Sequence, residues 1–356
     1  MAQLRVVLDQ LGADGAADLS EASTALVAGL IETAPRGCTV EAIVPAGVEG
    51  IPEGVASVRR LPLARRELTA AWQMGLAPRV GGGMIHAMTL LAPLIRHDRL
   101  NDHDQTVPTL WDLRPWDAPE TLPRAVVLSQ RALLRRAVRH ADAVVVPTHA
   151  VAARLAEIAA LGDRIRVIAG APSPQIAVPS DAAARRSAAG LPDDYVVLAG
   201  AGEDLLPGLR AAAALRRAVV VLDVADGGEA GIIDLAESAG LPAARMHVRE
   251  RSSPADRAAV LDGADAFVCL DPNASWPWRL LEAMALRVPV VARDTGLHRD
   301  VVADGGLLVP AEAIADALAE AVDAGGERLR VIAGDRARAF SWNGAAAQVW
   351  ALHAEL

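Results

Sequence analysis

The sequence predicts an α/β protein made of two doubly wound parallel sheets, and three observations predict it. Short runs of Val, Ile and Leu alternate with Ala-, Leu- and Arg-rich helical stretches along the whole chain. The runs lack strict apolar–polar alternation, which marks strands covered on both faces. They also fall into two series, separated by a segment where periodicity lapses. Strands separated by helices form right-handed βαβ units, so two series make two domains.

In order, the first series reads as strands at "LRVVLD" (4–9), "TVEAIVP" (39–45), "GMIHAM" (83–88), "TVPTLWDL" (106–113) and "ADAVVVPT" (141–148). Between them run helices such as "LSEASTALVAGLIETA" and "RAVVLSQRALLRRAVRHA". The seam lies in "IAGAPSPQIAVPSDAA" (168–183), where Gly, Pro and Ser cluster. The second series starts at "YVVLAGAG" (195–202) and continues with "AVVVLDVA" (218–225), "RMHVRE" (245–250), "AFVCLD" (266–271), "VPVVAR" (288–293) and "GLLVP" (306–310). In "NASWPWRLLEAMALRVPVVA" (273–292), Ser275 and Pro277 read as the cap and first turn of a helix. The expected domains are 1–172 and 185–335, with a last helix over 336–356 returning to the first.

A chain of 356 residues suits two domains, and an apolar fraction of 52% supplies a core for each. No apolar run reaches the ~18 residues of a membrane span. The start reads as a strand rather than a signal segment, which predicts a cytoplasmic protein; the mildly basic "ALLRRAVRHA" leaves contact with the inner membrane face open. Cys38 and Cys269 lie in separate halves and form no disulfide framework. A net charge of -9 argues against nucleic-acid binding. The chain contains no lysine, so any side-chain cation in a site is Arg or His. No metal-ligand spacing, P-loop or GxGxxG fingerprint is present.

One segment carries a specific likeness. "FVCLDPNASWPWRLLEAMALRVPVVARDTGLHRDVVADGGLLVP" (267–310) resembles the donor-binding region of retaining GT-B glycosyltransferases of the group 1, family 4 type. There Glu-Gly-Phe-Gly precedes Leu-Glu-Ala-Met-Ala-x-Gly-x-Pro-Val-Val-Ala, and "LLEAMALRVPVVA" follows it closely. "RARAFSWNGAAAQVW" (336–350) resembles the family's closing helix, and "DRIRVIAGAP" its interdomain linker. The resemblance implies a GT-B fold with two Rossmann-like domains facing a cleft. It implies transfer of a sugar from a UDP- or GDP-linked donor, GDP-mannose among them, with retention, to a glycan, lipid or small-molecule acceptor. Neither cofactor nor metal is implied.

The resemblance assigns Glu282 to the donor ribose, whose hydroxyls one carboxylate accepts bidentately. Spacing alone reads Glu282 as a carboxylate complementing the helix dipole, worth ~0.3–1 kcal/mol. Ser275, Gly202 and Leu281 fall on donor-side positions, while His86 and Asp112 fall on the acceptor side. Trp111, Trp116 and Arg114 share a loop where the aromatic rings could stack on a sugar or pack beneath it.

The departures matter as much. The first Glu of the family's pair, eight positions before Glu282, is Ala274. The Gly-Arg…Lys-Gly phosphate clamp is replaced by "AGAGEDLLPGL" (199–209), which adds Glu203 and Asp204. The His of a His-Asp pair is replaced by Trp111 before Asp112. The N-terminal glycine loop keeps only Gly12 and Gly15. Each lost charge-stabilising donor costs roughly 10²–10³ in rate. Arg210, Arg279 and Arg251 are the available substitutes. Two readings follow: a glycosyltransferase using substitute arginines, or a catalytically degenerate homologue acting as binding partner of an active glycosyltransferase.

Overall fold

The computed structural model describes residues 2–11, 17–77, 80–97, 104–272, 275–323 and 325–356. The chain divides into two compact units, Met1–Ala171 with Asn273–Trp276 and Phe340–Leu356, and Pro172–Pro272 with Pro277–Ala339.

The first unit is built on β1 (Ala2–Val7), α1 (Ala17–Glu32), β2 (Cys38–Val44), β3 (Ser57–Arg60), α2 (Arg65–Gln73), β4 (Met84–Ala87) and β5 (Gln105–Pro108). They form a parallel sheet of order β3-β2-β1-β4-β5. Its middle strands are buried on both faces: Leu4, Val6, Ala42, Ile43 and Ile85 are at most 3% exposed. Each Val, Leu or Ile so buried contributes about 1.5–3 kcal/mol. After α3 (Arg114–Asp117) and α4 (Arg124–His140) come β6 (Val144–Val146), α5 (His149–Ile158) and β7 (Ile165–Val167). β6 and β7 pair in parallel, and a bridge between Thr109 and Val145 joins β6 to the segment after β5.

Two strands in this unit have no counterpart in the sequence reading. β3 carries Ser57, Val58, Arg59 and Arg60, all exposed, so it has no apolar run to find. It holds the sheet edge through its ladder with β2 and the Arg59–Glu41 ion pair at 2.8 Å. β7 is three half-buried residues inside the stretch read as a linker.

The second unit opens with α6 (Ala182–Ala188), then β8 (Tyr195–Ala199), α7 (Leu206–Ala214), β9 (Ala218–Val221), α8 (Glu229–Ser238), β10 (Met246–Val248) and α9 (Pro254–Asp262). It continues with β11 (Ala266–Cys269), α10 (Trp278–Ala285), β12 (Val290–Arg293), α11 (Gly296–Val301), β13 (Leu307–Val309), α12 (Ile314–Val322) and α13 (Gly326–Ala337). The sheet is parallel with order β10-β9-β8-β11-β12-β13. Val196, Leu198, Val219, Val268 and Val291 meet Leu209, Leu318 and Leu329 in one core.

The C-terminal segment corrects the expectation of one helix over 336–356. α13 ends at Ala337, and a separate α14 (Trp342–Glu355) begins after Ser341, whose hydroxyl caps it by accepting from the Gly344 amide at 3.1 Å. α14 packs against α1 at Gly29, where an added Cβ would lie 2.9 Å from the Trp342 carbonyl oxygen. The Trp350 indole donates to the Leu30 carbonyl at 3.0 Å.

Candidate active site

In open α/β sheets, ligands bind beyond the carboxyl ends of the strands, where strand order reverses. In the second unit that point is at β8, flanked by β9 and β11. The chain leaves β8 through Gly200 and Gly202, whose φ of 52° opens a 3-10 turn over Gly202–Leu205. Gly202 is exposed, with open space where a side chain would stand. Asp204 in that turn accepts from Arg293, at the end of β12, at 3.2 Å. Burial raises the Asp204 carboxyl pKa, Asp271 adds to it, and Arg293 opposes it. Arg210 is exposed on α7 and forms no ion pair among the described residues.

Glu282 on α10 is 2% exposed and faces two arginines. Arg257, from α9 and 1% exposed, donates Nε to Oε2 and Nη2 to Oε1, both at 2.8 Å. Arg279 adds Nη1 to Oε1 at 3.0 Å. Its Nε donates to Asp223 Oδ2, just after β9. Asp223 sits at φ 59°, a left-handed conformation unusual for a non-glycine residue, and its buried Oδ1 has no hydrogen-bond partner among the described residues. Among the described residues, these form a network of two guanidiniums and two carboxylates.

This arrangement bears on the ribose role expected of Glu282. A carboxylate offers about four lone-pair sites. Three are occupied by guanidinium N–H groups, so bidentate acceptance of two ribose hydroxyls is unavailable in this arrangement. The cause is Arg257, a buried cation that requires a carboxylate. Removing one partner of such a pair costs about 3–5 kcal/mol.

The other donor-side positions divide. Leu281 is fully buried, a core residue of α10. Ser275 does not cap α10: Pro277 precedes the helix without a side-chain cap, and Ser275 forms an antiparallel bridge with Asp112. Ala274, Gly12 and Gly15 lie outside the described residues. Beneath the strand ends, Cys269 Sγ lies 3.3 Å from His298 Nε2. His298 Nδ1 donates to the Arg293 carbonyl at 2.7 Å, which leaves Nε2 to accept from the thiol. Burial pushes the Cys269 thiol up to about 12 and lowers His298, so the pair is a neutral packing contact.

In the first unit, a cavity of about 310 Å³ opens at the ends of β1, β4 and β5, lined among others by Gln10, Arg65, Thr89, Thr109, Asp112 and Arg114. Asp9, fully buried behind it, accepts from Gln10 Nε2 at 2.6 Å, Thr89 Oγ1 at 3.1 Å and Arg65 Nε at 3.3 Å. Burial outweighs these partners and pushes its carboxyl up to about 6. Asp112 clamps Arg114, accepting from Nε at 2.8 Å and Nη2 at 2.6 Å. The buried Thr109 hydroxyl has no partner among the described residues.

His86 does not reach this edge. It is 1% exposed on β4, and its ring meets His353 of α14 edge-on at 5.7 Å. Burial, then His353, holds His86 down at about 3; burial holds His353 at about 4. His353 Nδ1 donates to Gln105 Oε1 at 2.9 Å. Trp111 is likewise packed beneath the loop, 6.0 Å from Trp276, with its indole donating to the Met88 carbonyl at 2.8 Å. Gly170 admits this pair: an added Cβ would lie 3.0 Å from both rings.

Of the residues gathered at these two edges, Asp112, Glu282 and Arg279 were singled out from the sequence, and Arg257, Asp223, Arg65 and Asp9 were not. The Asp after "VVVL" at a strand end was the one available signal for Asp223. The Arg257–Glu282 pairing spans 25 residues and leaves no local pattern.

Residues 207–338 match the family described as glycosyl transferases group 1. A D-inositol 3-phosphate glycosyltransferase of Stackebrandtia nassauensis is 31% identical over 255 residues, 64% of this chain and 56% of that protein. The chain thus spans little more than half the length of this curated relative. Sucrose-phosphate synthase from Thermosynechococcus elongatus matches with a TM-score of 0.68 at 18% identity, covering 100% of this chain and 99% of that one. Anabaena HepE, solved with UDP and glucose, gives 0.64 at 18% with both chains fully covered. Starch synthase IV from Arabidopsis thaliana, bound to ADP and acarbose, gives 0.66 at 14%, covering 100% and 99%. At these identities the likeness is one of fold, and the fold is GT-B.

Proposed function

We propose that the chain, whose residues 207–338 match the glycosyl transferases group 1, is a nucleotide-sugar-dependent glycosyltransferase. The donor is UDP- or GDP-linked, and the sugar passes with retention to a small hydroxylated acceptor. The observation that carries this reading is the pair of guanidiniums at the carboxyl edge of the second sheet. Arg257 and Arg279 stand within the matched region, and the Gly-Arg…Lys-Gly clamp is absent. A planar guanidinium suits a diphosphate.

On this reading Arg279, 11% exposed and in the first turn of α10, contacts the donor diphosphate. Glu282 is a positioning residue that orients Arg257 and Arg279. As the bond from the anomeric carbon to the diphosphate breaks, positive charge on Arg279 stabilises the departing anion. The acceptor hydroxyl attacks from the same face, and its proton passes to a diphosphate oxygen. The first-unit cavity, lined by Asp112, Arg114 and Gln10, suits a compact polyol as acceptor. Arginine supplies the charge in this scheme, so no metal takes part.

The experiment is incubation of purified protein with UDP- and GDP-sugars and a panel of small polyols, with and without EDTA, followed by phosphorus NMR. Release of nucleoside diphosphate that depends on acceptor and ignores EDTA supports the scheme. Dependence on a divalent ion would remove its metal-free part.

One observation favours a second reading, a degenerate homologue that assists an active glycosyltransferase. Glu203 and Asp204 replace the clamp, and Glu282 is closed on two arginines. That reading predicts no turnover alone and turnover only beside a partner enzyme. Turnover by the homogeneous chain ends it.

A further inference from the structure

The second unit holds a cavity of about 540 Å³ beside the arginine network, within the size range of small-molecule sites. Leu222, which follows β9, and Arg249 and Glu250, which follow β10, place it at the carboxyl edge of the sheet. α6 supplies Ala184 and Ala188, and α9 supplies Val260, so its walls are largely apolar. Leu222 directly precedes Asp223, the acceptor of Arg279 Nε. The carbonyl of Ser252, another lining residue, accepts from Arg257 Nη1 at 3.4 Å. A ligand whose anionic end lies on Arg279 therefore has an apolar cavity next to it.

The polar groups of the cavity divide by what already holds them. Arg185 bridges Asp181 at 2.8 Å and Asp256 at 2.6 Å, so these three charges compensate one another. Arg249 donates Nη1 to the Val248 carbonyl at 3.2 Å and Nη2 to the Ala189 carbonyl. Those bonds fix the guanidinium and leave each terminal nitrogen a second N–H. The Glu250 carboxylate has no ion pair and no hydrogen bond among the described residues. Arg249 and Glu250 thus bring N–H donors and carboxylate acceptors to one cavity.

That combination selects among bases. Guanine carries two acceptors, O6 and N7, and beside them two donors, N1–H and the 2-amino group. Arginine matches the first pair and a carboxylate the second. Adenine puts an amino donor where guanine has O6, and uracil flanks its one N–H with two carbonyls that a carboxylate repels. Given a nucleotide-sugar donor with its diphosphate at Arg279, as proposed above, we infer that this donor is guanosine-linked and that Glu250 and Arg249 set the base. The ring lies in the cavity against Leu222 and Val260. Glu250 accepts from N1–H and the 2-amino group, and Arg249 donates to the O6 side.

The test is calorimetric titration of the purified full chain with GDP, inosine diphosphate, ADP and UDP. Inosine diphosphate keeps N1–H, O6 and N7 and lacks only the 2-amino group. Wild-type protein should bind GDP at least about tenfold more tightly than ADP or UDP, and about tenfold more tightly than inosine diphosphate. Glu250 is exposed, so Glu250→Ala should keep the wild-type circular dichroism and thermal melting. It should weaken GDP about tenfold and bring GDP and inosine diphosphate within about threefold of each other. A Glu250 with only a structural role would weaken both ligands alike and leave their ratio unchanged. UDP or ADP bound as tightly as GDP, or a ratio of GDP to inosine diphosphate that Glu250→Ala does not alter, would overturn the base assignment while leaving a nucleotide site in place. Binding of none of the four nucleotides would remove the donor site itself, and the base assignment with it.

Discussion

Each unit buries a carboxylate beside arginine at the ends of its strands, and the two carboxylates behave differently. Glu282 has a buried partner in Arg257 that grips both oxygens at 2.8 Å. Asp9 has Arg65 at 3.3 Å, on a guanidinium 46% exposed to water, and burial wins. The two sites differ in whether the arginine is desolvated with its carboxylate and matches it in geometry.

The largest expected effect breaks the tighter pair. Arg257→Ala leaves Glu282 buried without its bidentate partner and should cost about 3–5 kcal/mol in urea denaturation. A loss under about 1 kcal/mol would mean that Arg279 alone satisfies Glu282.

Next come the histidines of the first unit, held below their ordinary range by burial. Their folded values lie below the unfolded value of about 6.5, so the unfolded chain binds protons first. Stability is full above that value and falls as pH drops through the window toward 4 and 3. By pH 5 each histidine costs about 2 kcal/mol. Replacing both, in His86→Leu with His353→Leu, should flatten the decline between pH 7 and 5.

Asp9 acts with the opposite sign. Its folded value, near 6, is raised above the unfolded one, so its contribution is full below about 3.8 and lost as pH rises through 6. The difference amounts to about 3 kcal/mol at most. Asp9→Asn should remove it, and stability measured from pH 4 to 7 should show the histidine slope steepened. The smallest effect is expected at the surface, where Asp335→Ala breaks a pair exposed on both sides and should stay within ~0.5 kcal/mol.

These contrasts also mark what the sequence made legible. Buried strands such as β8 and β11 announced themselves as continuous apolar runs, and α4 by its periodicity. β3 did not, because four exposed residues hold their place through hydrogen bonds and an ion pair rather than apolar burial. The break before α14 was missed because α13 ends at Ala337 without a glycine or proline to mark it, and Ser341, which caps the next helix, sits within an otherwise helical composition. At the site, residue types were visible but their partners were not. Glu282 stood out by resemblance, yet its occupation by Arg257 depends on packing between α9 and α10. His86 reads as a strand-end residue until α14 covers it with His353.

The central claim is that Arg279 holds the donor diphosphate while Glu282 positions it. Calorimetric titration of UDP and GDP into wild-type protein and Arg279→Gln tests this most directly, with circular dichroism to show that the variant is folded. The account predicts saturable binding of one nucleotide by wild type and a loss of about tenfold or more in the variant. Equal affinity in the two proteins would contradict it.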